Sequence, residues 1–473
     1  MNVMDEIVRK RRRRIDAAGH AFGLSLPAER ALPLVPFGQP SQGRFLICEI
    51  KRRSPSRGVI SEGLDAGAQA ARYAGEGVVN LSVLTEEEHF GGSLADLLEV
   101  KRKAPGCSVL RKDFLLDPED IEVSYRAGAD AVLLIAAVLA PSRLRELYEL
   151  ARRRGMSCLV EVHSREEAKL VEALAPAFTG INARDLTTFS VDLATPLLVK
   201  PAITWPTRLV FESGIASAEQ AAFAAAAGFD GILVGESVVK DVSLIPALFE
   251  GLRAGRSRFW EELYARKRPG RPLVKVCGLT NLSDMRLADR LGADLLGFIF
   301  APSRRRVEPE LLAAAGSTSA LKVGVVVLNR EERALPGEVQ SLLESGLLDA
   351  VQLQGDEQPE RCFEIAFPYY KALQIRDEET VRCIGDYRCP RVLVDSFATG
   401  ERGGTGKRLD EGIVEAVAAR HPLWLAGGIG PANVREILTR FSPELIDASS
   451  GLELSPGRKD PEKLKRYFDE VVP

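Results

Sequence analysis

No stretch of the 473 residues approaches the roughly 18 consecutive apolar residues of a membrane span. The first fourteen residues likewise hold no apolar run of signal-peptide length, so a soluble, cytoplasmic protein is expected. The seven cysteines (48, 107, 158, 277, 362, 383 and 389) are scattered and form no CxxC pair, which argues against a disulfide framework or a zinc ribbon. With four histidines in the whole chain, no metal site is expected. Charge of one sign is also lacking: 63 Lys and Arg against 66 Asp and Glu leave a net charge of −3. No broad field therefore favours nucleic acid or an anionic membrane, and small-molecule chemistry gains weight.

Two nucleotide signatures are missing as well. The run Gly403-Gly404-Thr405-Gly406-Lys407-Arg408 resembles a phosphate-binding Walker loop, but Glu401 replaces its first glycine and Arg408 its Ser/Thr. The run from Gly428 to Asn433 follows an apolar stretch but lacks the third glycine of a dinucleotide fingerprint. No cofactor is expected.

What the chain does have is rhythm. Short β-branched or leucine-rich runs recur at 45–50, 79–84, 109–112, 131–135, 158–162, 178–182, 208–212 and 231–234. A second set stands at 273–277, 295–300, 321–327, 350–353, 369–373, 392–395, 423–426 and 445–447. Stretches with helical spacing separate them, the alternation of a parallel sheet covered by helices. Two sets of eight, each in about 200–250 residues, predict an α/β chain of two tandem (β/α)8 TIM barrels rather than one very wide sheet. The expected boundaries are a first barrel over 1–255 with an N-terminal helical extension, a short helix and linker over 256–270, and a second barrel over 271–473. Arg11–Arg14 in the extension read as a solvated helix face.

In such barrels chemistry sits at the C-terminal ends of the strands. Glu49 and Lys51 end the first run on one face, because side chains alternate. Lys112, Glu161, Asn182 with Arg184, and Glu212 with Ser213 end four others. Lysines beside carboxylates tune one another's protonation, the setting for acid/base work. Glycine loops after the seventh and eighth runs, Gly214 and Gly235-Glu236-Ser237, match the usual barrel phosphate site, as does Ser56 after the first. The second half repeats this geography with Cys277, Asp395, Asp447 and Arg305, and with phosphate loops at Gly427-Gly428 and Ser449-Ser450-Gly451. A lone cysteine is usually a small core residue, but Cys277 ends a strand run.

At these residues the chain becomes recognisable. EIKRRSPSRG (49–58), Phe90-Gly91-Gly92-Ser93, LRKDF (110–114), Glu161-Val162, GINARD (180–185), Glu212-Ser213-Gly214-Ile215 and VGES (234–237) resemble the indole-3-glycerol phosphate synthase family. VKVCGLT (274–280), 297–300, 323–325, 351–355, Asp395, 403–406, Gly427-Gly428 and DASSG (447–451) are similar to the phosphoribosylanthranilate isomerase family. Cys277 separates this half from the related histidine-pathway isomerisation, where the resemblance implies an aspartate.

The resemblance implies a bifunctional enzyme of tryptophan biosynthesis, acting as a monomer on phosphosugar-anthranilate substrates. The isomerase half would convert N-(5-phosphoribosyl)anthranilate to 1-(2-carboxyphenylamino)-1-deoxyribulose 5-phosphate. The synthase half would cyclise, decarboxylate and dehydrate that product to indole-3-glycerol phosphate. Lys112 would be general acid, Lys51 would hold the departing carboxylate, Glu161 would be base and then acid, and Glu49 and Glu212 would tune charge. Ser54, Asn182, Arg184 and Ser213 would position substrate, and Phe90, Phe114 and Leu133 would wall the anthranilate ring. In the isomerase, Asp395 would protonate the furanose oxygen and Cys277, as thiolate, would take the C2′ proton. Arg305 would pair with the anthranilate carboxylate and Asp447 would contact the amine or sugar. One departure stands out: Gln354 occupies a position where the isomerase family more often has His.

Overall fold

The computed structural model describes residues 3–40, 43–54, 58–185, 187–188, 190–254, 257–328, 334–362, 365, 367–396 and 411–471. Ser56 and the 403–406 run lie outside them. The chain divides into two compact units, Met1–Arg256 and Ser257–Pro473. Each contains one closed barrel of eight parallel strands, every strand paired with its neighbours in chain order and the last with the first.

The first barrel runs β1 (Phe45–Ile50), β2 (Asn80–Leu84), β3 (Ser108–Lys112), β4 (Ala131–Ile135), β5 (Ser157–Val162), β6 (Phe178–Asn182), β7 (Arg208–Glu212) and β8 (Gly231–Val234). Both faces of these strands are covered, which is why they read as near-continuous apolar runs. Phe45, Ile47, Leu110, Leu133, Leu159, Val210 and Leu233 fill the interior. Phe37, Phe45 and Phe178 close its N-terminal end, with ring centroids 5.1–6.4 Å apart. Asp65, Ser93, Ser164 and Ser217 cap the helices that follow four of the strands, each side chain accepting from a backbone N–H of the first turn.

The extension forms the helix Val3–Ala18, and here the expectation of a solvated arginine face fails at Arg11. Its guanidinium is buried, 2.6 Å from Asp113 and 3.1 Å from Asp120. Two buried carboxylates behind β3 need a cation, and the helix delivers one. Arg12 does face solvent.

The second barrel runs β9 (Leu273–Cys277), β10 (Leu295–Ile299), β11 (Leu321–Val326), β12 (Ala350–Leu353), β13 (Tyr369–Ile375), β14 (Val392–Ser396), β15 (Trp424–Ala426) and β16 (Leu445–Ala448). Residues 257–270, read from sequence as a short helix and linker, belong to this unit. The helix Phe259–Ala265 buries Trp260 against Trp424, and Tyr264 donates to Glu444 Oε2 at 3.0 Å. No helix among the described residues is long and apolar enough to cross a membrane.

Candidate active sites

In the first barrel the strand-end charges converge. Lys112 Nζ lies 3.0 Å from Glu161 Oε2 and 3.1 Å from Glu212 Oε2. Lys51 Nζ lies 2.8 Å from Glu49 Oε1. Glu161 pairs in register with Gly180, and Asn182 with Glu212. A Cβ on Gly180 would fall 1.9 Å from Glu212 Oε1, so the missing side chain is what admits the second carboxylate beside the first.

Burial works against the Lys112 ammonium, but Glu161, Glu212 and Glu49 override it and raise its pKa. Burial likewise pushes Glu161 upward, yet Lys112 and then His163 bring it well below the ordinary carboxylate value. Glu212, raised by burial and by the charge of Glu161 against the pull of Lys112, is pushed up to about 8. One carboxylate is thus held ionised and the other protonated around a single ammonium, an arrangement that can give and accept protons at neutral pH.

Around this cluster Phe114 and Leu133 are buried apolar groups and Phe90 packs against the same core. Asn182 is buried, its Oδ1 accepting from the Arg184 amide at 3.0 Å. Among the described residues, buried Ser54 Oγ and Glu49 Oε2 have no hydrogen-bond partner. Ser213 takes a left-handed φ of +69° beside Gly214, turning the chain sharply after β7. Gly235 precedes the short helix Glu236–Lys240, and Ser237 Oγ donates to Ile215 O at 3.1 Å, tying the loops after β7 and β8 together. The Glu236 carboxylate turns to Lys240, 2.6 Å away. Sequence reasoning missed His163, whose Nε2 lies 3.1 Å from Glu161 Oε1 and whose Nδ1 lies 3.2 Å from Glu167 Oε2. The available signal was the alternation Glu161-Val162-His163, which puts both polar residues on one face.

In the second barrel Cys277 stands opposite Gly297 in register, and a Cβ there would lie 2.7 Å from the thiol sulfur. Burial raises the Cys277 pKa, and Lys275, two residues back on the same face, draws it partly down. Lys275 pairs in register with Asp447, donates to its Oδ2, and donates to Gln352 Oε1 at 2.7 Å. Asp447 Oδ1 is buried with no hydrogen-bond partner among the described residues. Gln354 Nε2 donates to Asp395 Oδ2 at 3.2 Å. Arg305, expected at a substrate carboxylate, has its fork on Glu453, with Nε–Oε1 at 2.9 Å and Nη2–Oε2 at 2.8 Å. Lys459, also missed from sequence, joins Glu453 at 3.1 Å to the Cys277 and Ser449 carbonyls at 2.6 and 3.1 Å. Gly427 and Gly428 follow β15 with positive φ, and Asn433 braces them by donating to Gly428 O at 3.0 Å. Ser449, Ser450 and Gly451 follow β16.

Comparison with known proteins decides between the chemistries such barrels can host. Residues 4–247 match the family model "Indole-3-glycerol phosphate synthase", and residues 274–470 match "N-(5'phosphoribosyl)anthranilate (PRA) isomerase". The chain belongs to both families, one in each half. A multifunctional tryptophan biosynthesis protein of Schizosaccharomyces pombe is 33% identical over 90% of the chain, which spans only 59% of that relative's length. A tryptophan biosynthesis protein of Phytophthora nicotianae is 32% identical over 87% of the chain and 88% of its own length. An indole-3-glycerol phosphate synthase of Dehalococcoides mccartyi strain CBDB1 is 41% identical over 43% of the chain and 80% of its own. The cluster around Lys112 thus lies in the synthase-family barrel, and Cys277 and Asp395 lie in the isomerase-family barrel.

Proposed function

We propose that the chain performs two consecutive steps of tryptophan biosynthesis, the isomerase barrel making the substrate of the synthase barrel. Asp395 gives a proton to the furanose oxygen of N-(5-phosphoribosyl)anthranilate and the ring opens to an iminium. Cys277 then removes the C2′ proton, and the enolamine relaxes to the 1-amino-1-deoxyribulose 5-phosphate. The burial of the thiol favours its protonated resting form, and Lys275 offsets part of that cost when the thiolate forms. The free Asp447 Oδ1 suits the substrate amine or a sugar hydroxyl. Arg305 reaches the anthranilate carboxylate only by sharing its fork with Glu453.

In the synthase barrel Lys112 protonates the ketone oxygen as the ring closes, Lys51 holds the carboxylate lost as CO2, and Glu161 handles the proton transfers of dehydration. The observation that carries this reading is the contact of Lys112 with Glu161 at 3.0 Å. It also orders the steps: once Lys112 has passed its proton to substrate, Glu161 loses its nearest cation and becomes the stronger base the next step needs. Phosphate groups are held by the loops after β7 and β8, and after β15 and β16. The chain works as a cytoplasmic monomer.

The test supplies N-(5-phosphoribosyl)anthranilate to the full chain and to two variants while following the open-chain intermediate and indole-3-glycerol phosphate. Cys277→Ala forms neither product, and Glu161→Gln accumulates the intermediate. An intact chain that forms neither product rejects the proposal, and a Cys277→Ala chain that fails to turn supplied open-chain intermediate into indole-3-glycerol phosphate rejects the two-site scheme.

A further inference from the structure

We propose that His163 is a positioning residue of the synthase site, holding Oε1 of Glu161 while Lys112 holds Oε2, so that a single oxygen of Glu161 is presented to substrate. The inference rests on the synthase reading above.

The two contacts of the ring differ in kind: Nδ1 is hydrogen-bonded to Glu167, whereas Nε2 meets Glu161 at ion-pair distance without hydrogen-bond alignment. His163 follows directly on β5 and shares the inward face of Glu161. Its Nε2 lies 3.1 Å from Glu161 Oε1, and its Nδ1 lies 3.2 Å from Glu167 Oε2 on the helix Arg165–Val171. The same Glu167 oxygen accepts from the His163 backbone N–H at 2.9 Å, which fixes the helix start and the ring together. The ring is one-tenth exposed.

A neutral imidazole donates from one nitrogen only, so neither tautomer can serve both carboxylates. Only the imidazolium offers an N–H to each. Burial opposes that charge, but Glu161 and Glu167 override it and carry the ring to about 10. The groups that face it are Glu161 from β5, Glu167 from the following helix and Asp185 from the loop after β6; Lys112 and Glu212 stand beyond Glu161. Asp185 is itself held low, chiefly by its loop amides and slightly by His163.

The consequence appears when Lys112 leaves Glu161 to serve the substrate. Without a second anchor the carboxylate would be free to turn about its last torsion, and its two oxygens would become equivalent. With Oε1 held by an imidazolium, Oε2 remains the atom that exchanges a proton, and Glu161 stays anionic until that exchange. Glu167 acts one step further out, keeping His163 charged.

The test uses the full chain, whose isomerase activity is an internal control. His163→Gln keeps a donor of similar reach without the charge, and His163→Leu removes both. Losing a cation beside Glu161 raises its pKa, so the acid limb of synthase kcat/KM moves to higher pH, by about one unit. Synthase kcat falls about 10–100-fold, KM changes less than about threefold, and isomerase activity is unchanged. Side-chain NMR of histidine-labelled protein, with four signals to assign, places the His163 midpoint above pH 8 in wild type and at least one unit lower in Glu167→Gln. An acid limb that does not move in His163→Gln, or a wild-type His163 titrating near the ordinary histidine value of about 6.5, overturns the proposal. A wild-type chain that makes no indole-3-glycerol phosphate rejects the synthase reading instead, while the NMR titration still decides whether His163 holds the charge.

Discussion

Gln354 donates its side-chain amide to Asp395 across the mouth of the second barrel, Nε2 to Oδ2 at 3.2 Å. Its orientation is imposed from below. Lys275 and Tyr370 both donate to Gln352 Oε1, at 2.7 and 2.9 Å, so Gln352 must turn its own Nε2 toward Gln354 Oε1. The relay therefore runs from beneath Cys277 to the acid on the far wall, and a neutral amide stands where the isomerase family more often has a titratable ring.

Removing that amide should cost orientation at one site only. Gln354→Ala is expected to lower isomerase kcat about tenfold, the loss of a single hydrogen bond that orients the general acid, and to leave synthase turnover unchanged. Paired assays of the two reactions on one preparation check this. A parallel fall of both rates would mean a fold defect.

Gly180 offers a sharper steric test. Its Cβ would lie 1.9 Å from Glu212 Oε1, so the carboxylate must shift to make room for it. Gly180→Ala is expected to push Glu212 off Lys112 and to reduce synthase kcat about 100-fold, with isomerase kinetics intact. A variant with normal synthase rates would show that the Glu212 contact is dispensable.

How far these relationships were legible in sequence depends on their range. The strands were visible because their apolar runs recur, and Lys112, Glu161 and Glu212 because charged residues coincide at the ends of several strands of one set, where a single one would pass for a structural ion pair. Arg11 was not, since a helical arginine run looks the same whether its partners are water or carboxylates about 100 positions away. His163 escaped notice because a histidine one step beyond a strand is unremarkable until Glu167 folds back onto its other nitrogen. The fork of Arg305 was assigned to a ligand carboxylate because Glu453, a protein carboxylate that meets it first, lies 148 positions on.

The protonation of Glu212 has a consequence for stability. Its carboxyl keeps its proton up to about 8 in the folded chain, above the ordinary value of 4.5. A raised pKa contributes stability that is fully present below the unfolded value and is lost as pH climbs through the folded one. Glu212→Gln keeps the neutral form at every pH. Its stability relative to wild type is therefore expected to rise from pH 5 to pH 8, by about 1–3 kcal/mol, as read from urea midpoints at several pH values. Curves that run parallel would mean that Glu212 is ionised in the folded chain.

Arg11 allows the energetics of the extension to be separated from its chemistry. It neutralises Asp113 and Asp120, both fully buried, and its removal leaves Asp113 with Arg111 at 3.0 Å and Asp120 with His20 at 3.0 Å. Burial raises both aspartates, but Arg11 and then Arg111 hold them below the ordinary value, so both are carboxylates that lose their nearest cation in Arg11→Met. Breaking such a pair from one side costs about 3–5 kcal/mol, because an uncompensated charge stays buried. Arg11→Met is expected to lower the unfolding free energy of the first unit by that amount, read from denaturant midpoints, and Arg11→Lys, which keeps the charge but cannot fork between two acceptors, by less. Acidification should narrow the gap, since protonating the two aspartates removes the stranded charge. Because Asp113 directly follows Lys112, the synthase kcat of Arg11→Met should fall even at temperatures where the variant is fully folded. Unchanged stability and synthase rate in Arg11→Met would reduce the helix Val3–Ala18 to a covering element with no hold on the catalytic strand.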